Sequence, residues 1–431
     1  MLLWRQFKAA NFNYTNRSTS KKLLLYSNNC FANALNRLLG TQLINDGRLL
    51  VVEEDSSNSQ RSMKFPIVWL RDNCQCSECF HGTTKSRKTN WKPCNNTAAR
   101  AAKVAANTEK NAIIIDWQDA HKSVYDLQWL RKRDFSPEQR QAYIEGVYKP
   151  KEMVWSKQEF ADILKIYDFH KIIGDDTELY EWLRSLAVYG VNIVKNAPHD
   201  TTVVQQLGKR IGIIKKTTYG DQFEIKSKEN PTNYAYLMVP LPLHIDVPYY
   251  EHIAGIHILH CLVQSTKGGE NTLTDGFYVA DQLRQHYPNY YEALLKTPVD
   301  WHDIGKEGDL EFHNIWREPV INLDVDGRYH RINFNTIKRD SHFTVPLEAV
   351  DIWYEAYNKF LEIANDTAVQ FKTSPGDVFV FNNRRMLHGR TAFEDTADNK
   401  RHLIGAYVDW DFIYSKMRVL QTKLGLTEQL H

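Results

Sequence analysis

The chain has 431 residues, of which 42% are hydrophobic, 25% charged and 12% aromatic, which excludes disordered, collagen-like and low-complexity proteins and leaves room for more than one domain. The net charge of +2, from 54 basic and 52 acidic residues, gives no electrostatic reason to expect a nucleic-acid partner. No apolar run approaches the roughly 18 residues that a membrane span needs, so no membrane partner is expected either.

The first 45 residues differ in composition from the rest of the chain. Residues 1–45 carry six basic side chains and no acidic one, with Leu and Phe interspersed. A basic, acid-free leader of this kind is typical of a mitochondrial transit peptide, and a disordered basic tail is the alternative. We therefore expect a protein of the mitochondrial matrix, with the cytoplasm as the alternative location.

Residues 46–130 are predicted to form a small β domain. Short apolar runs bounded by polar turns indicate strands in GRLLVVEED, FPIVWLRD and NAIIIDWQD. Three soft thiolates fall within one loop of six residues, which suits a structural Zn2+ that needs a fourth ligand. These thiolates belong to Cys74, Cys76 and Cys79. The spacing leaves three candidates for the fourth ligand, His81, Cys94 and His121. A reduced, metal-free cysteine trio is the alternative to zinc.

A helical connector is predicted over residues 131–170. SPEQRQAYIEGVY opens on a Ser-Pro start signal, and in SKQEFADILKIYDFH Ser156 is followed three residues later by Glu159, the pattern of a capping box. The next domain, residues 171–422, begins with an amphipathic helix in DTELYEWLRSLAVYG, which is predicted to end at Gly190 and to lead into the strand VNIVK.

Beyond residue 230 the pattern is mainly that of strands. They are predicted in NYAYLMVPLPLHIDV, GIHILHCLVQ, RYHRINFN, GDVFVFNN and RHLIGAYVDW, with one helix, VDIWYEAYNKFLEIA, between them. Many short strands in about 200 residues predict a jelly-roll sandwich. The expected fold class is α+β, mainly β, with a short tail over residues 423–431.

His244 and Asp246 form a His-x-Asp pair at the end of an extended segment, where strand alternation places both side chains on one side. Non-haem Fe(II) oxygenases bind the metal through two His and one carboxylate and leave other positions open. His388, which follows the strand-like run FVFNN, is the candidate for the third ligand. A histidine satisfied by neighbouring carbonyls is the ordinary alternative for His388.

Arg401 lies 13 residues after His388, at the start of the strand RHLIGAYVDW. The loop EDTADNK is expected to fold the two segments into a hairpin and so to bring Arg401 close to His388. Arginine is the side chain suited to bidentate capture of a carboxylate. A His-x-Asp pair, a distant His and an Arg shortly after it match the layout of a 2-oxoglutarate oxygenase.

Several strings resemble a known family. LPLHIDVPYYEHIAGIHILHCLVQSTKGGENTLTDGFY, RINFNTIKRD, FNNRRMLHGRTAFED and RHLIGAYVDWD are similar to γ-butyrobetaine dioxygenases and their sister trimethyllysine dioxygenases. WLRDNCQCSECF resembles the amino-terminal domain of that family, and the resemblance covers about residues 46–422. It implies a double-stranded β-helix that uses Fe(II) and 2-oxoglutarate, with ascorbate as reductant, together with a small zinc-binding domain.

The resemblance also implies roles for individual residues. The iron ligands would be His244, Asp246 and His388, and the zinc ligands would be Cys74, Cys76, Cys79 and His121. Arg401 would bind the distal carboxylate of 2-oxoglutarate. Asn271, in GGENTLTDG, occupies a position where related oxygenases often have a residue that contacts the co-substrate.

The substrate that the resemblance implies carries a trimethylammonium group, which cannot donate a hydrogen bond and is held by aromatic faces. The implied cage consists of Tyr219, Phe223, Tyr236 and Tyr407. Family members often have Trp at the position of Phe223, so one wall is expected to be weaker. Asn233 and Asn333 fall where γ-butyrobetaine dioxygenases place amides that meet the substrate carboxylate, whereas trimethyllysine enzymes tend to have an acid at the first position. A turn residue is the alternative for either Asn.

The function implied by the resemblance is hydroxylation of γ-butyrobetaine to L-carnitine, in carnitine biosynthesis, while 2-oxoglutarate is cleaved to succinate and CO2. Hydroxylation of N6-trimethyllysine is the alternative with the same chemistry. A catalytically silent, zinc-containing binding protein on the same fold is the alternative from a different class. The oligomeric state is left open by the sequence, with a homodimer as one option.

Overall fold

The computed structural model describes residues 38–56, 59–88, 99–227, 231 and 233–426. The chain divides between Ser136 and Pro137 into two compact units. Cys30, Cys94 and most of the predicted leader lie outside the described residues. Among the helices of the described part, none is both long enough and apolar enough to cross a membrane.

The amino-terminal unit consists mainly of two antiparallel three-stranded sheets, in the orders β1-β2-β3 and β6-β7-β8. Its strands are β1 (Leu38–Ile44), β2 (Leu49–Ser56), β3 (Ser59–Pro66), β4 (Phe80–His81), β5 (Ser86–Arg87), β6 (Ala101–Asn107), β7 (Ala112–Trp117) and β8 (Lys122–Asp126). Its helices are α1 (Ile67–Asp72) and α2 (Leu127–Arg131). Alternate residues of β2, β3 and β7, among them Leu50, Phe65 and Ile113, fill one apolar core.

Two expectations for this unit are corrected by the structure. Residues 38–44, at the end of the predicted leader, form β1 and pair with β2 along the whole strand, so the folded part begins before residue 46. The run FPIVWLRD was expected to be a strand, but β3 ends at Pro66 and α1 follows. Proline cannot donate to the strand ladder, and Ile67 and Leu70 then lie one helical turn apart and bury the same face.

The second unit carries the larger β structure. Its strands are β9 (Lys165–Asp168), β10 (Val191–Lys195), β11 (Ile214–Lys215), β12 (Phe223–Ile225), β13 (Leu241–His244), β14 (Ile256–Val263), β15 (Lys267–Gly268), β16 (Asn271–Asp275), β17 (Val299–Glu307), β18 (Leu310–Glu318), β19 (Ile321–Leu323), β20 (Tyr329–Ile332), β21 (Val369–Phe371), β22 (Val378–Asn382), β23 (Met386–Arg390), β24 (Phe393–Glu394) and β25 (His402–Val408).

The helices of the second unit cover the sheets. They are α3 (Pro137–Tyr143), α4 (Phe160–Ile163), α5 (Phe169–Gly174), α6 (Asp176–Tyr189), α7 (Val203–Ile211), α8 (Gly276–His286), α9 (Pro288–Lys296), α10 (Val350–Thr367) and α11 (Trp410–Lys423). A π-helical turn follows α3 over Ile144–Tyr148, and 3-10 turns occupy Tyr234–Tyr236 and Leu347–Ala349.

Two sheets form a sandwich in this unit. The larger sheet has the order β11-β25-β14-β22-β10-β9, with β12 also paired to β25, and the smaller sheet has the order β13-β23-β16-β21. Phe379 and Phe381 of the larger sheet pack against Leu273 and Met386 of the smaller one. The predicted jelly roll, with α+β and mainly β content, is thereby confirmed.

Strand alternation in the larger sheet separates an apolar outer face from an inner face that lines a cavity. Along β14 and β25, side chains such as Ile258 and Ala406 pack under helices α5, α6, α7 and α11. Their neighbours His257 and Tyr407 point to the other side and line a cavity between the sheets. A period of two residues therefore sends His257 and Tyr407 into the cavity.

Local predictions for this unit succeeded at strong signals and failed at proline-rich or helical segments. Helix α6 ends as predicted at Gly190, whose φ of +80° favours glycine, and VNIVK forms β10. The run NYAYLMVPLPLHIDV forms a strand only over Leu241–His244; a 3-10 turn occupies Tyr234–Tyr236, and Pro240, which cannot donate to a ladder, immediately precedes the strand. Helices α8, α9 and α11 were not predicted, and the connector contains β9 as well as short helices.

Candidate active site and candidate metal centres

Three metal-binding side chains meet at the cavity between the two sheets. His244, the last residue of β13, pairs across the ladder with His388 of β23. The Oδ1 atom of Asp246 lies 3.2 Å from His244 Nε2 and 3.5 Å from His388 Nε2, and all three ligand atoms lie within 4.8 Å of one another. Neighbouring ligands at about 2.1 Å from an octahedral ion lie about 3 Å apart, so this set fits one face of such an ion.

The ionisation of these three groups also suits a metal. His244 Nδ1 donates to the carbonyl of Pro242 at 2.8 Å, so the lone pair of Nε2 faces the cluster. Burial lowers the pKa of His388 to about 4 against the attraction of Asp246, which keeps this imidazole neutral. Burial would raise the pKa of the Asp246 carboxyl, but His388, His244 and His257 hold that pKa well below its usual range. The donors are therefore the Asp246 carboxylate, the neutral His388 imidazole and the His244 imidazole, whose Nε2 faces the other two.

The second carboxylate oxygen of Asp246 is held by the larger sheet. The hydroxyl of Tyr407 donates to Oδ2 at 3.0 Å, and His257 Nδ1 lies 2.9 Å from the same oxygen. His257 and Tyr407 face each other across β14 and β25. They hold the carboxylate so that Oδ1 faces the two metal-binding histidines. His257 was missed in the sequence because GIHILHCLV reads as a buried apolar strand.

Arg401 and Arg390 line the same cavity, and both are almost fully buried. Arg401 Nε donates to Gln264 Oε1 at 3.3 Å, and Arg390 donates to the backbone carbonyls of Leu237 and Thr391. Burial lowers the pKa of Arg401 to about 10, and burial together with the charge of Arg401 lowers the pKa of Arg390 to about 9. Two desolvated neighbouring cations create a site that favours an anion.

Arg401 reaches the cavity by a route that differs from the predicted hairpin. β23 pairs with β13 and β16 in the smaller sheet, whereas β25 pairs with β14 in the larger sheet. The chain therefore crosses the sandwich between His388 and Arg401. Arg390 was missed in the sequence, although it follows His388 by two residues and alternation places both on the same face. Asn271 lies directly opposite Arg390 in the ladder of β16 and β23 and also lines the cavity.

The four aromatic residues of the predicted cage all line this cavity: Tyr219, Phe223, Tyr236 and Tyr407. The rings of Phe223 and Tyr407 lie 5.1 Å apart. The hydroxyl of Tyr219 donates to Oδ2 of the buried Asp303 at 2.8 Å, and Lys338 forms an ion pair with the other oxygen of that carboxylate. Asp303 and Lys338 were not found in the sequence, because nothing local links them to the cage.

The two predicted asparagines have different positions. Asn233 lines the cavity, where its Nδ2 donates to the Tyr219 hydroxyl at 2.9 Å, while its Oδ1 caps the 3-10 turn. Asn333 is fully buried and is not among the residues that line the cavity. The structure therefore corrects the prediction that Asn333 contacts the substrate. Asn335 lines the cavity instead. β20 ends at Ile332, and strand alternation no longer decides which side chain beyond it faces inward.

A second candidate metal centre lies in the amino-terminal unit. His121 Nε2 lies 3.3 Å from Cys74 Sγ and 3.6 Å from the sulfur atoms of Cys76 and Cys79. Sulfur and nitrogen ligands at about 2.3 Å and 2.0 Å from a tetrahedral zinc lie about 3.5 Å apart. The four side chains therefore have the chemistry and the spacing of a closed zinc site.

Polar neighbours hold the ligands of this centre. Ser123 donates to Cys74 Sγ at 3.0 Å, and Glu78 Oε2 lies 3.6 Å from His121 Nδ1, the ring nitrogen that faces away from the sulfur atoms. Of the other candidates for the fourth ligand, His81 instead interacts with Thr84 through Nδ1, and Cys94 is outside the described residues. The structure thus brings His121 to the three cysteines.

Two family profiles match the chain, one within each of its two units. The profile of the family described as "Taurine catabolism dioxygenase TauD, TfdA family" matches residues 157–407, more than half of the chain. The chain belongs to this family. A profile described as "Gamma-butyrobetaine hydroxylase-like, N-terminal" matches residues 42–131.

Individual relatives of this TauD, TfdA family member are also dioxygenases. Gamma-butyrobetaine dioxygenase of Homo sapiens is 34% identical over 362 residues, which cover 84% of this chain and 92% of that protein. Mitochondrial trimethyllysine dioxygenase of Gallus gallus is 29% identical over 365 residues, covering 83% of this chain and 84% of that protein. The non-heme iron oxygenase OrfP, solved with Fe and alpha-ketoglutaric acid, aligns with 12% identity and a TM-score of 0.43 over 59% of this chain and 88% of its own. The chain is a 2-oxoglutarate-dependent dioxygenase for a small-molecule substrate.

Proposed function

We propose that the protein hydroxylates γ-butyrobetaine to L-carnitine. The observation that carries this proposal is one cavity that combines the His244, Asp246 and His388 cluster with aromatic rings and two arginines that have no carboxylate partner among the described residues. When bound, Fe(II) and 2-oxoglutarate supply the oxidising chemistry: one oxygen atom of O2 enters a substrate C–H bond and the other enters succinate as CO2 leaves.

Different residues of the cavity would bind the metal, the co-substrate and the substrate. His244, Asp246 and His388 would hold the iron, with His257 and Tyr407 fixing the carboxylate. Arg401 would bind the distal carboxylate of 2-oxoglutarate, with Arg390 and Asn271 beside it. Ascorbate is the reductant that we propose keeps the iron ferrous; turnover over many cycles should fall when it is omitted, and unchanged turnover would refute its role.

The lining of the cavity favours γ-butyrobetaine over trimethyllysine. Tyr219, Phe223 and Tyr236 offer faces for a trimethylammonium group, and Asn233 offers an amide for a carboxylate. Among the described residues that line the cavity, Asp246 is the one carboxylate, and it belongs to the metal cluster. The α-ammonium group of trimethyllysine would therefore be desolvated there without an acidic partner.

We expect kcat/KM for γ-butyrobetaine to exceed that for trimethyllysine by about tenfold or more, because a polar group stranded on binding costs affinity. Asn233→Asp should reduce this ratio by about tenfold by supplying an acid. Product mass spectrometry with both substrates offered side by side measures the ratio. Asn365→Asp, the same change on the exposed side of α10, is the matched control and should leave the ratio unchanged. A wild-type preference for trimethyllysine would make that substrate the function.

We further propose that Cys74, Cys76, Cys79 and His121 bind a structural Zn2+. Protein purified without chelator should contain about one zinc per chain that survives mild chelation, because a four-ligand thiolate site is closed. Cys76→Ser should lose the zinc and lower the stability of the amino-terminal unit by several kcal/mol, on the order of a structural ligand's contribution. Elemental analysis and thermal unfolding measure both effects.

The control for the zinc prediction is Cys261→Ser, which changes a buried cysteine of β14 outside the cluster. This variant should retain the full zinc content whatever its stability. Purified wild-type protein without zinc, or zinc retained at full content in Cys76→Ser, would contradict the proposed site.

We also propose that residues 1–37, the part of the predicted leader that precedes β1, direct the protein to mitochondria. The support is their basic, acid-free composition. A fluorescent reporter fused to residues 1–37 should enter mitochondria, and a matched fusion with the six basic residues replaced by Gln should not. A cytosolic signal from the unchanged fusion would contradict the proposal.

A further inference from the structure

Asn383 holds the backbone of the candidate iron ligand Asp246 from both sides. Asn383 is fully buried in the turn between β22 and β23. Its Oδ1 accepts from the backbone N–H of Asp246 at 2.8 Å, and its Nδ2 donates to the backbone carbonyl of Asp246 at 3.0 Å. The same Nδ2 also donates to the carbonyl of Ala254 at 3.2 Å. One side chain thus satisfies both peptide groups of a single residue.

This support replaces a strand ladder that the segment lacks. His244 and His388 are held by the backbone pairing of β13 and β23, but β13 ends at His244. The next residue, Ile245, donates its N–H to the carbonyl of Phe334. The backbone position of Asp246 therefore depends on the Asn383 amide, whereas the backbone positions of His244 and His388 depend on the pairing of β13 and β23.

Val247, the residue after Asp246, has an unfavourable backbone conformation that the Asn383 hydrogen bonds can maintain. Val247 has a φ of +50°, in the left-handed region that a β-branched residue rarely adopts. The carbonyl that Asn383 holds belongs to the peptide between Asp246 and Val247, so the amide fixes the orientation of that peptide. Without it, Val247 can relax toward ordinary dihedral angles, and the Asp246 carboxylate would turn with the backbone.

We propose that Asn383 is a positioning residue that sets the metal affinity of the site by holding Asp246 against the strain at Val247. This inference rests on the proposed iron site. Asn383 does not touch the metal or the substrate; it keeps Oδ1 of Asp246 facing the two imidazoles. Asn383 preorganises the Asp246 carboxylate before substrate binds, so its effect should be measurable as metal affinity in the absence of substrate.

The test uses the full chain with its proposed zinc retained, and it measures Mn2+ affinity and thermal stability. Thiolate sites disfavour Mn2+, so the cysteine cluster should not contribute to the measured affinity. Asn383→Ala should weaken Mn2+ binding by about tenfold or more. The matched control is Asn382→Ala, which removes a neighbouring buried amide that accepts from Trp410 Nε1 and Arg384 N–H but does not touch Asp246. It should lower thermal stability yet change Mn2+ affinity less than about twofold.

A second substitution separates positioning from a general structural role. Glycine adopts left-handed dihedral angles without strain, so Val247→Gly in the Asn383→Ala background should recover part of the lost Mn2+ affinity. Asn383→Ser keeps a small polar group without burying a charge but cannot reach both peptide groups of Asp246, and it provides a second variant if alanine prevents folding. Its Mn2+ affinity should also fall.

The outcomes distinguish this inference from the proposed function. Wild-type Mn2+ affinity in every folded Asn383 variant would overturn the positioning role while leaving the iron site in place. A wild-type protein that neither binds Mn2+ nor releases succinate from 2-oxoglutarate would overturn the iron site and this inference together.

Discussion

His388→Ala is expected to abolish turnover while leaving the fold largely intact. The substitution removes one of three donors from the cluster, so metal binding and activity should fall together, with succinate release reduced on the order of 10³-fold or more. The backbone of β23 would keep its pairing with β13 and β16, because that ladder does not involve the imidazole. Succinate release, Mn2+ binding and thermal unfolding of the same preparations measure the three effects.

The control for this prediction is His260→Gln. His260 is also fully buried, but it faces away from the cavity on β14 and is not part of the metal cluster. This variant should release succinate within about twofold of wild type per folded molecule. Normal turnover in His388→Ala would remove His388 from the iron site.

Local patterns in the sequence were sufficient to identify the three candidate iron ligands. The His-x-Asp pair needed only a strand end, and His388 needed only a buried strand leading into a turn. Arg401 was identified by its charge and spacing, although the predicted hairpin was wrong and the chain instead crosses between the sheets. The chemistry of arginine selected the residue, and the topology that delivers it could not be read locally.

Residues that act through distant partners could not be found in this way. His257 lies in an apolar run, and its contact with Asp246 exists only because β14 of the larger sheet lies across the cavity from the segment that follows β13 of the smaller sheet. Asn383 lies 137 positions from Asp246, whose backbone groups it binds. Nothing in a single sequence links such pairs, because the contact is created by the packing of the whole sandwich.

Helices α8 and α9, which were not predicted, have helix start signals in the sequence. Asp275 caps the start of α8 by accepting from the N–H of Phe277, and Pro288 occupies the first turn of α9. Both are recognised start signals for helices. Both helices bury apolar side chains in the same core as α10, among them Leu283 and Leu294.

Arg401→Met is expected to raise the requirement for 2-oxoglutarate by about a hundredfold, with little change in metal content. Removing one partner of a buried charge pair costs about 2–5 kcal/mol, because the remaining carboxylate is left desolvated and unpaired. Methionine fills much of the space of the arginine stem against Phe393, so the cavity wall should persist. The measurement is succinate release as a function of 2-oxoglutarate concentration, together with Mn2+ affinity in its absence.

Two comparison variants sharpen this expectation. Arg401→Lys retains a charge but loses the planar fork, so its requirement for 2-oxoglutarate should lie between those of wild type and Arg401→Met. Arg390→Met should have a smaller effect, because the Arg390 guanidinium already donates to the carbonyls of Leu237 and Thr391 and has less capacity left for an anion. If Arg401→Met shows unchanged dependence on 2-oxoglutarate while Arg390→Met raises it steeply, Arg390 is the anchor of the co-substrate and the role of Arg401 is structural.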